Sequence, residues 1–226
     1  MIDLYCERTA AGLLNEPLNA ASNLGFLFVA ALAWHRARQR GLTDLGILAA
    51  ILAAIGFGSG LFHTFATAWA QWLDVLPILA FQVVFLALYL RRVAGLAAAP
   101  VGAAVGVFVL TAIAAAQSPA VLNGSLGYLP ALVVLGWLGL DAWRRSGRLS
   151  LALAASLFTL ALVARSVDNA LCATWPWGTH FLWHLLNAVV LHLAIGGYAA
   201  QRAGTSERGP FTPRVPTAHG RDAPAP

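Results

Sequence analysis

His180 and His184 stand four positions apart in an apolar stretch. On a helix that spacing stacks two side chains on one face, within reach of a common ion. His63 closes another apolar stretch, and Ser59 precedes it at the same spacing. Three imidazoles at one depth suit a zinc ion that keeps a fourth position open for water or substrate, as catalytic zinc does. Asp74 follows His63 on the next apolar stretch, at the level expected of a general base toward such a water or of a hydrogen-bonded support for it. A simpler reading makes Asp74 the N-cap of its helix. Any one of these histidines alone reads as an interhelical hydrogen-bond partner, and the HxxxH pair with a depth-matched third is what favours metal. His192, two turns beyond His184, reads as packing, and His35 and His219 as solvated.

The elements that must position these groups are membrane spans. Of 226 residues, 59% are apolar and 10% charged, against about 25% charged in a soluble domain. The apolar residues come in blocks long enough for a bilayer core of about 30 Å, which takes roughly 20 residues of helix. Seven such blocks are expected, over 18–34, 44–63, 74–90, 100–117, 126–143, 149–167 and 179–200. The chain has 14 basic side chains, all arginine. They cluster after the first, third, fifth and seventh blocks, as at Arg36, Arg38, Arg40, Arg91, Arg92, Arg144, Arg145 and Arg148, whereas connections 64–73, 118–125 and 168–178 hold none. Basic residues collect on the cytoplasmic side, so the N terminus is expected outside and the C terminus in the cytoplasm, an alternation only an odd number of spans allows. The fold class is therefore an all-α integral membrane bundle of seven transmembrane helices.

Residues 1–17 form an extracytoplasmic segment with no basic, apolar signal pattern, 18–201 the membrane domain, and 202–226 a Pro- and Gly-rich cytoplasmic tail expected to be disordered. The arginines lie in clusters rather than along a polar face, which argues against nucleic acid as a partner despite a pI near 10. Nucleotide motifs and mid-span acids for a cation relay are absent, and Gly56, Gly58 and Gly60 read as helix-packing positions. Ionisable groups in spans mark function, which adds Arg165 and Asp168, near the end of the sixth span, to the polar set. Asp3, Glu7 and Glu16 put carboxylates outside the membrane, where they read either as hard oxygen ligands or as a solvated acidic face. Cys6 and Cys172 are too few for a disulfide framework and read as free thiols.

In chain order, Tyr5-Cys6-Glu7, Glu16-Pro17-Leu18-Asn19 with Ser22-Asn23, Gly58-Ser59-Gly60-Leu61-Phe62-His63-Thr64, Asp74-Val75-Leu76-Pro77-Ile78, Val167-Asp168-Asn169 with Cys172, and Thr179-His180-Phe181-Leu182-Trp183-His184 resemble the alkaline ceramidase family. That family lies within a superfamily of seven-span proteins that includes the progestin and adiponectin receptors. The resemblance implies a zinc amidase that cleaves the N-acyl bond of ceramide, or of a similar amide-linked lipid, to a fatty acid and a sphingoid base. His63, His180 and His184 would hold zinc, Asp74 would orient or deprotonate water, and Ser59 would hydrogen-bond the developing oxyanion. It also implies a calcium site at Glu7 and Glu16 with Asp3, Tyr5 and Asn19, and a Cys6–Cys172 disulfide. Here the sequence departs from the family pattern, with a shorter stretch between the two glutamates and Arg8 where eukaryotic members carry an acid. The expected partners are a lipid substrate and the bilayer. The Ala-rich, short-looped composition reads as bacterial, which places the protein in an inner membrane with its site toward the extracytoplasmic side. Two alternatives stay open: a phospholipase-like acyl hydrolase on the same zinc, and a seven-span receptor or sensor with a structural metal.

Overall fold

The computed structural model describes residues 1–207, with side chains placed as far as Thr205. Its helices are α1 (Pro17–Ser22), α2 (Leu24–Arg40), α3 (Thr43–Phe65), α4 (Ala68–Arg92), α5 (Ala98–Ala116), α6 (Leu129–Ser146), α7 (Ser150–Leu171) and α8 (His180–Glu207). A 3-10 turn, Val121–Tyr128, leads into α6, and no strand occurs among the described residues. With α1 joined to α2 and the 3-10 turn to α6, seven helices of 19 to 26 residues are long and apolar enough to cross a membrane.

Several helices run past the ends expected of their apolar blocks. α2 continues to Arg40 and α6 to Ser146 before Gly41 and Gly147, at φ 61° and 68°, end them in the left-handed conformation that glycine adopts without strain. The apolar block measures the hydrocarbon core, but a helix persists into the headgroup layer, where arginine stems lie along it and their heads reach water. α8 likewise continues through Arg202 to Glu207, inside the stretch expected to be disordered; the rest of that stretch, with His219, lies outside the described residues. α4 begins at Ala68, preceded by Thr67, so Asp74 sits inside the helix and does not cap it.

The core is built where α3 meets α2, α4 and α8. Leu45, Leu48, Leu52 and Ile55 of α3 pack with Phe81, Phe85 and Tyr89 of α4 and with Ile195 and Tyr198 of α8. Phe28, Leu110, Val133 and Leu160 point away from the bundle and are exposed, a surface suited to lipid. Exposed tryptophans mark both ends, Trp34 and Trp143 at the arginine end and Trp69, Trp72, Trp175 and Trp177 at the other, as the two interfacial belts of a membrane protein require.

One helix contact is unusually close. A Cβ on Gly58 would overlap the carbonyl oxygen of Leu73, so only glycine lets α3 and α4 meet here. Pro77 lies inside α4 and has no N–H to offer the carbonyl four residues back, which is that of Leu73. The freed carbonyl turns toward the space that Gly58 leaves. The residues next in sequence, Ser59 and Asp74, are thereby brought side by side.

Candidate metal centre

His63 ends α3 and His180 and His184 open α8, all at the same end of the bundle and each about 2% exposed or less. One ligand atom from each lies within 4.8 Å of the others. Ring centroids are 5.2 Å apart for His63 and His180, 4.7 Å for His63 and His184, and 4.7 Å for His180 and His184.

Hydrogen bonds decide which ring nitrogens are free. Glu16 accepts from Nδ1 of His63 at 2.5 Å, leaving Nε2 of His63 with a lone pair, buried and without a partner. Ser22 Oγ donates its one proton to the carbonyl of Asn19 at 2.9 Å and lies 2.7 Å from Nδ1 of His184. Nδ1 of His184 is then the donor and its Nε2 the free acceptor. Nδ1 of His180 is buried without a partner. Leaving such a group unsatisfied costs about 1–3 kcal/mol, a cost that a bound cation removes. Neutral imidazoles with lone pairs facing one another are the donor set zinc takes, and the outer bonds from Glu16 and Ser22 are the kind that orient its ligands.

The N-terminal segment folds onto this end and becomes part of the site. Cys6 and Cys172 are joined as a disulfide, with Cα atoms 5.3 Å apart. The free-thiol reading fails because it counted cysteines along the chain, whereas the fold brings two distant ones together. Tyr5 stacks on His180 with ring centroids 3.5 Å apart. Burial pushes the Tyr5 hydroxyl well above its usual range, with the Arg165 guanidinium pulling the other way, so Tyr5 covers the cluster as a neutral ring. Asp168, fully buried, accepts from the backbone N–H groups of Thr179 at 2.6 Å, His180 at 2.9 Å and Cys6 at 2.9 Å. One carboxylate thus satisfies the free amides that open α8 and fastens the N-terminal segment to them. Gly178, at φ 63°, has no room for a Cβ against Asp168 and Cys6.

Glu16 also accepts from Arg8 Nε at 2.5 Å and Asn19 Nδ2 at 3.1 Å. Burial pushes its carboxyl up most strongly, but His63, Asn19 and Arg8 together outweigh it and hold the group below its usual range. Glu7 accepts from the N–H groups of Leu18 at 2.6 Å and Asn19 at 2.8 Å, acting as the cap of α1; burial pushes its carboxyl up against the pull of those amides. Asp3 is exposed, away from the buried glutamates.

Ser59 is buried beside Asp74, which also lies within electrostatic reach of His63. Arg165 is buried among the rings of Tyr5, Tyr128 and Trp183, 5.5, 5.5 and 5.7 Å from their centroids. It also donates to the Asn123 carbonyl at 2.9 Å. His192 is half-buried and His35 exposed, neither of them in the cluster.

Below the histidines an apolar cavity of about 90 Å³ opens between helices, with walls from Phe26, Ile55, Phe81, Leu138, Phe158 and Asn187. The Phe26 ring meets His184 edge-on at 6.2 Å, so the cavity and the polar cluster share a wall.

Sequence reasoning placed Arg165 and Asp168 in the polar set without a specific role and gave none to Arg8 or Ser22, which bond to His63 and His184. Asp168 carried the clearest signal, an acid just before the predicted start of the last span, where α8's free amides need an acceptor. The sequence model of the family described as Ceramidase matches residues 4–214. No curated protein matches the chain.

Proposed function

The chain belongs to the Ceramidase family, and from that premise we propose that it is a membrane zinc amidase acting on the N-acyl bond of ceramide or a similar amide-linked lipid. The observation that carries the reading is the buried His63, His180 and His184 cluster with its unpartnered ring nitrogens, set against an apolar cavity. Zinc on those nitrogens would polarise an amide carbonyl and make water nucleophilic near neutral pH.

The chain's own groups do the rest. The cavity takes the acyl chain, excludes water and brings the amide to the histidine end. Asp74 accepts a proton from the attacking water as its oxygen bonds to the acyl carbon. The C–N bond then breaks and that proton passes to the departing nitrogen, giving a fatty acid and a free amine. Ser59, beside Asp74, would donate its hydroxyl proton in a hydrogen bond to the developing oxyanion. Glu16 and Ser22 fix the imidazole tautomers, and Tyr5 closes the outer side.

The N terminus and site are assigned to the extracytoplasmic side, with the last helix ending in the cytoplasm. Two independent features support this: arginines gather at the opposite end of the bundle, and a Cys6–Cys172 disulfide belongs in an oxidising compartment. For a bacterial host that is the periplasmic face of the inner membrane.

The test is metal content and ceramide hydrolysis of the purified full chain beside a His180→Ala/His184→Ala variant. About one zinc per chain, lost in the variant together with turnover, is the expected result. Zinc without ceramide cleavage, and with lysophospholipid released from added phospholipid, would move the substrate to an ester-linked lipid. Absence of zinc from the wild-type protein would overturn the mechanism.

A further inference from the structure

The resemblance implies calcium at the N-terminal glutamates, and the arrangement there does not fit it. Calcium takes about six to eight oxygen ligands. Both oxygens of Glu7 accept backbone N–H groups, from Leu18 at 2.6 Å and Asn19 at 2.8 Å. One oxygen of Glu16 accepts Arg8 Nε at 2.5 Å, and the other accepts His63 Nδ1 at 2.5 Å and Asn19 Nδ2 at 3.1 Å. Asp3 is exposed, and Tyr5 has its ring flat on His180. The carboxylate oxygens that would meet a dication already face N–H donors, and a guanidinium stands among them.

Arg8 is 4% exposed, and each of its three nitrogens has an acceptor. Nε binds Glu16, Nη2 binds the backbone carbonyl of His63 at 3.0 Å, and Nη1 binds the carbonyl of Gly12 at 3.3 Å. It therefore grips His63 twice, directly at the backbone and through Glu16 at the ring. A planar fork of donors suits this task, where a lysine would offer a point charge.

We infer that Arg8 is a built-in replacement for a bound cation: its guanidinium occupies the N-terminal carboxylate cluster, makes the protein independent of calcium, and positions His63 for metal. Arg8 touches neither the cavity nor the three histidine rings, so it is a positioning residue. The calcium part stands on the hydrogen bonds alone, while the effect on metal rests on the proposed role of His63.

The experiment uses the full chain in detergent micelles. Equilibrium dialysis against radioactive calcium at millimolar concentration is expected to show no stoichiometric binding to the wild-type protein. Zinc affinity of the metal-stripped protein, read by competition with a chromophoric chelator, is expected to fall about tenfold or more in Arg8→Ala, the size of loss typical when the outer partner of a metal ligand is removed. Arg8→Lys, which keeps charge but not the fork, is expected to recover only part of it. Melting of the metal-free variants is followed alongside, because a purely structural role would lower the melting temperature and leave the zinc affinity of the folded fraction unchanged. One calcium bound per wild-type chain would overturn the inference, as would an Arg8→Ala protein that is folded and binds zinc as tightly as wild type. If the wild-type protein holds no zinc, the proposed function fails and the calcium measurement alone decides this inference.

Discussion

Helices α3 and α8 carry a buried polar cluster at each end, and the two clusters are finished differently. At the arginine end, Asp44 accepts from the backbone N–H of Leu45 at 3.0 Å, from the hydroxyl of Tyr198 and from the guanidinium of Arg202. Every polar group in that clasp has a partner. At the histidine end, Nε2 of His63 and Nδ1 of His180 have none, and neither do Asn19 Oδ1, Asn23 Oδ1, Thr67 Oγ1 and Arg165 Nε. All the unpartnered buried side-chain atoms among the described residues thus gather at one end. The same two helices are clamped by a closed network where they need only be held together, and left open where a ligand can complete them. At about 1–3 kcal/mol for each unsatisfied group, such concentration marks a site rather than packing error.

Removing a ligand should separate the ends most sharply. His63→Ala is expected to abolish zinc binding and reduce lipid amide hydrolysis to background, while the metal-free protein still melts cooperatively; metal analysis, turnover and melting on one preparation check this. Retained zinc and turnover would erase the distinction.

A smaller effect should follow from moving the base without touching the ligands. Gly58→Ala places a methyl group against the Leu73 carbonyl and pushes Asp74 away from Ser59. Since about 1 Å of misplacement can cost on the order of 100-fold, turnover should fall by about that factor with zinc content unchanged. Equal activity in the two proteins would mean that Asp74 does not act from this position.

Glu16→Gln comes next. It keeps an acceptor near His63 but removes the charge, and zinc affinity should drop about 10- to 100-fold, measurable by chelator competition. Asp44→Asn should affect function least. Losing charged hydrogen bonds there should cost about 1–3 kcal/mol of stability and leave zinc and turnover as in wild type. A loss of zinc in that variant would show that the two ends are coupled, against the comparison drawn here.

Much of the frame is legible in the sequence. Arginine alternation and apolar block length both point to seven helices, because the bilayer imposes a strict length and the positive-inside preference leaves a periodic trace. His180 and His184 were legible because helical spacing translates directly into a shared face. What escaped depends on contacts between distant parts of the chain. Arg8, in a segment that reads as solvated and acidic, is buried because Glu16 and the His63 carbonyl wait for it across the fold. Ser22 enters the sequence reading only as part of a motif, because its partner His184 lies 162 positions along the chain. The Cys6–Cys172 bond was suggested by resemblance, and spacing along the chain could not pair two thiols brought together by the seventh helix. Helix ends were misjudged for a local reason, since hydropathy registers where lipid tails stop and hydrogen bonding continues beyond them.

The cluster also has a history written into chain order. His63 and its holders Arg8 and Glu16 leave the ribosome early, whereas His180 and His184 arrive only with the seventh span, and Cys172 just ahead of them. At about 5–20 residues per second, the half-built cluster waits on the order of ten seconds for its other two histidines. During that wait the Arg8–Glu16–His63 chain can already form, which fixes the orientation of the first imidazole before the others arrive. The three-histidine group is complete only once the last span has been inserted, and closure of the disulfide beside it records that the whole bundle is in place.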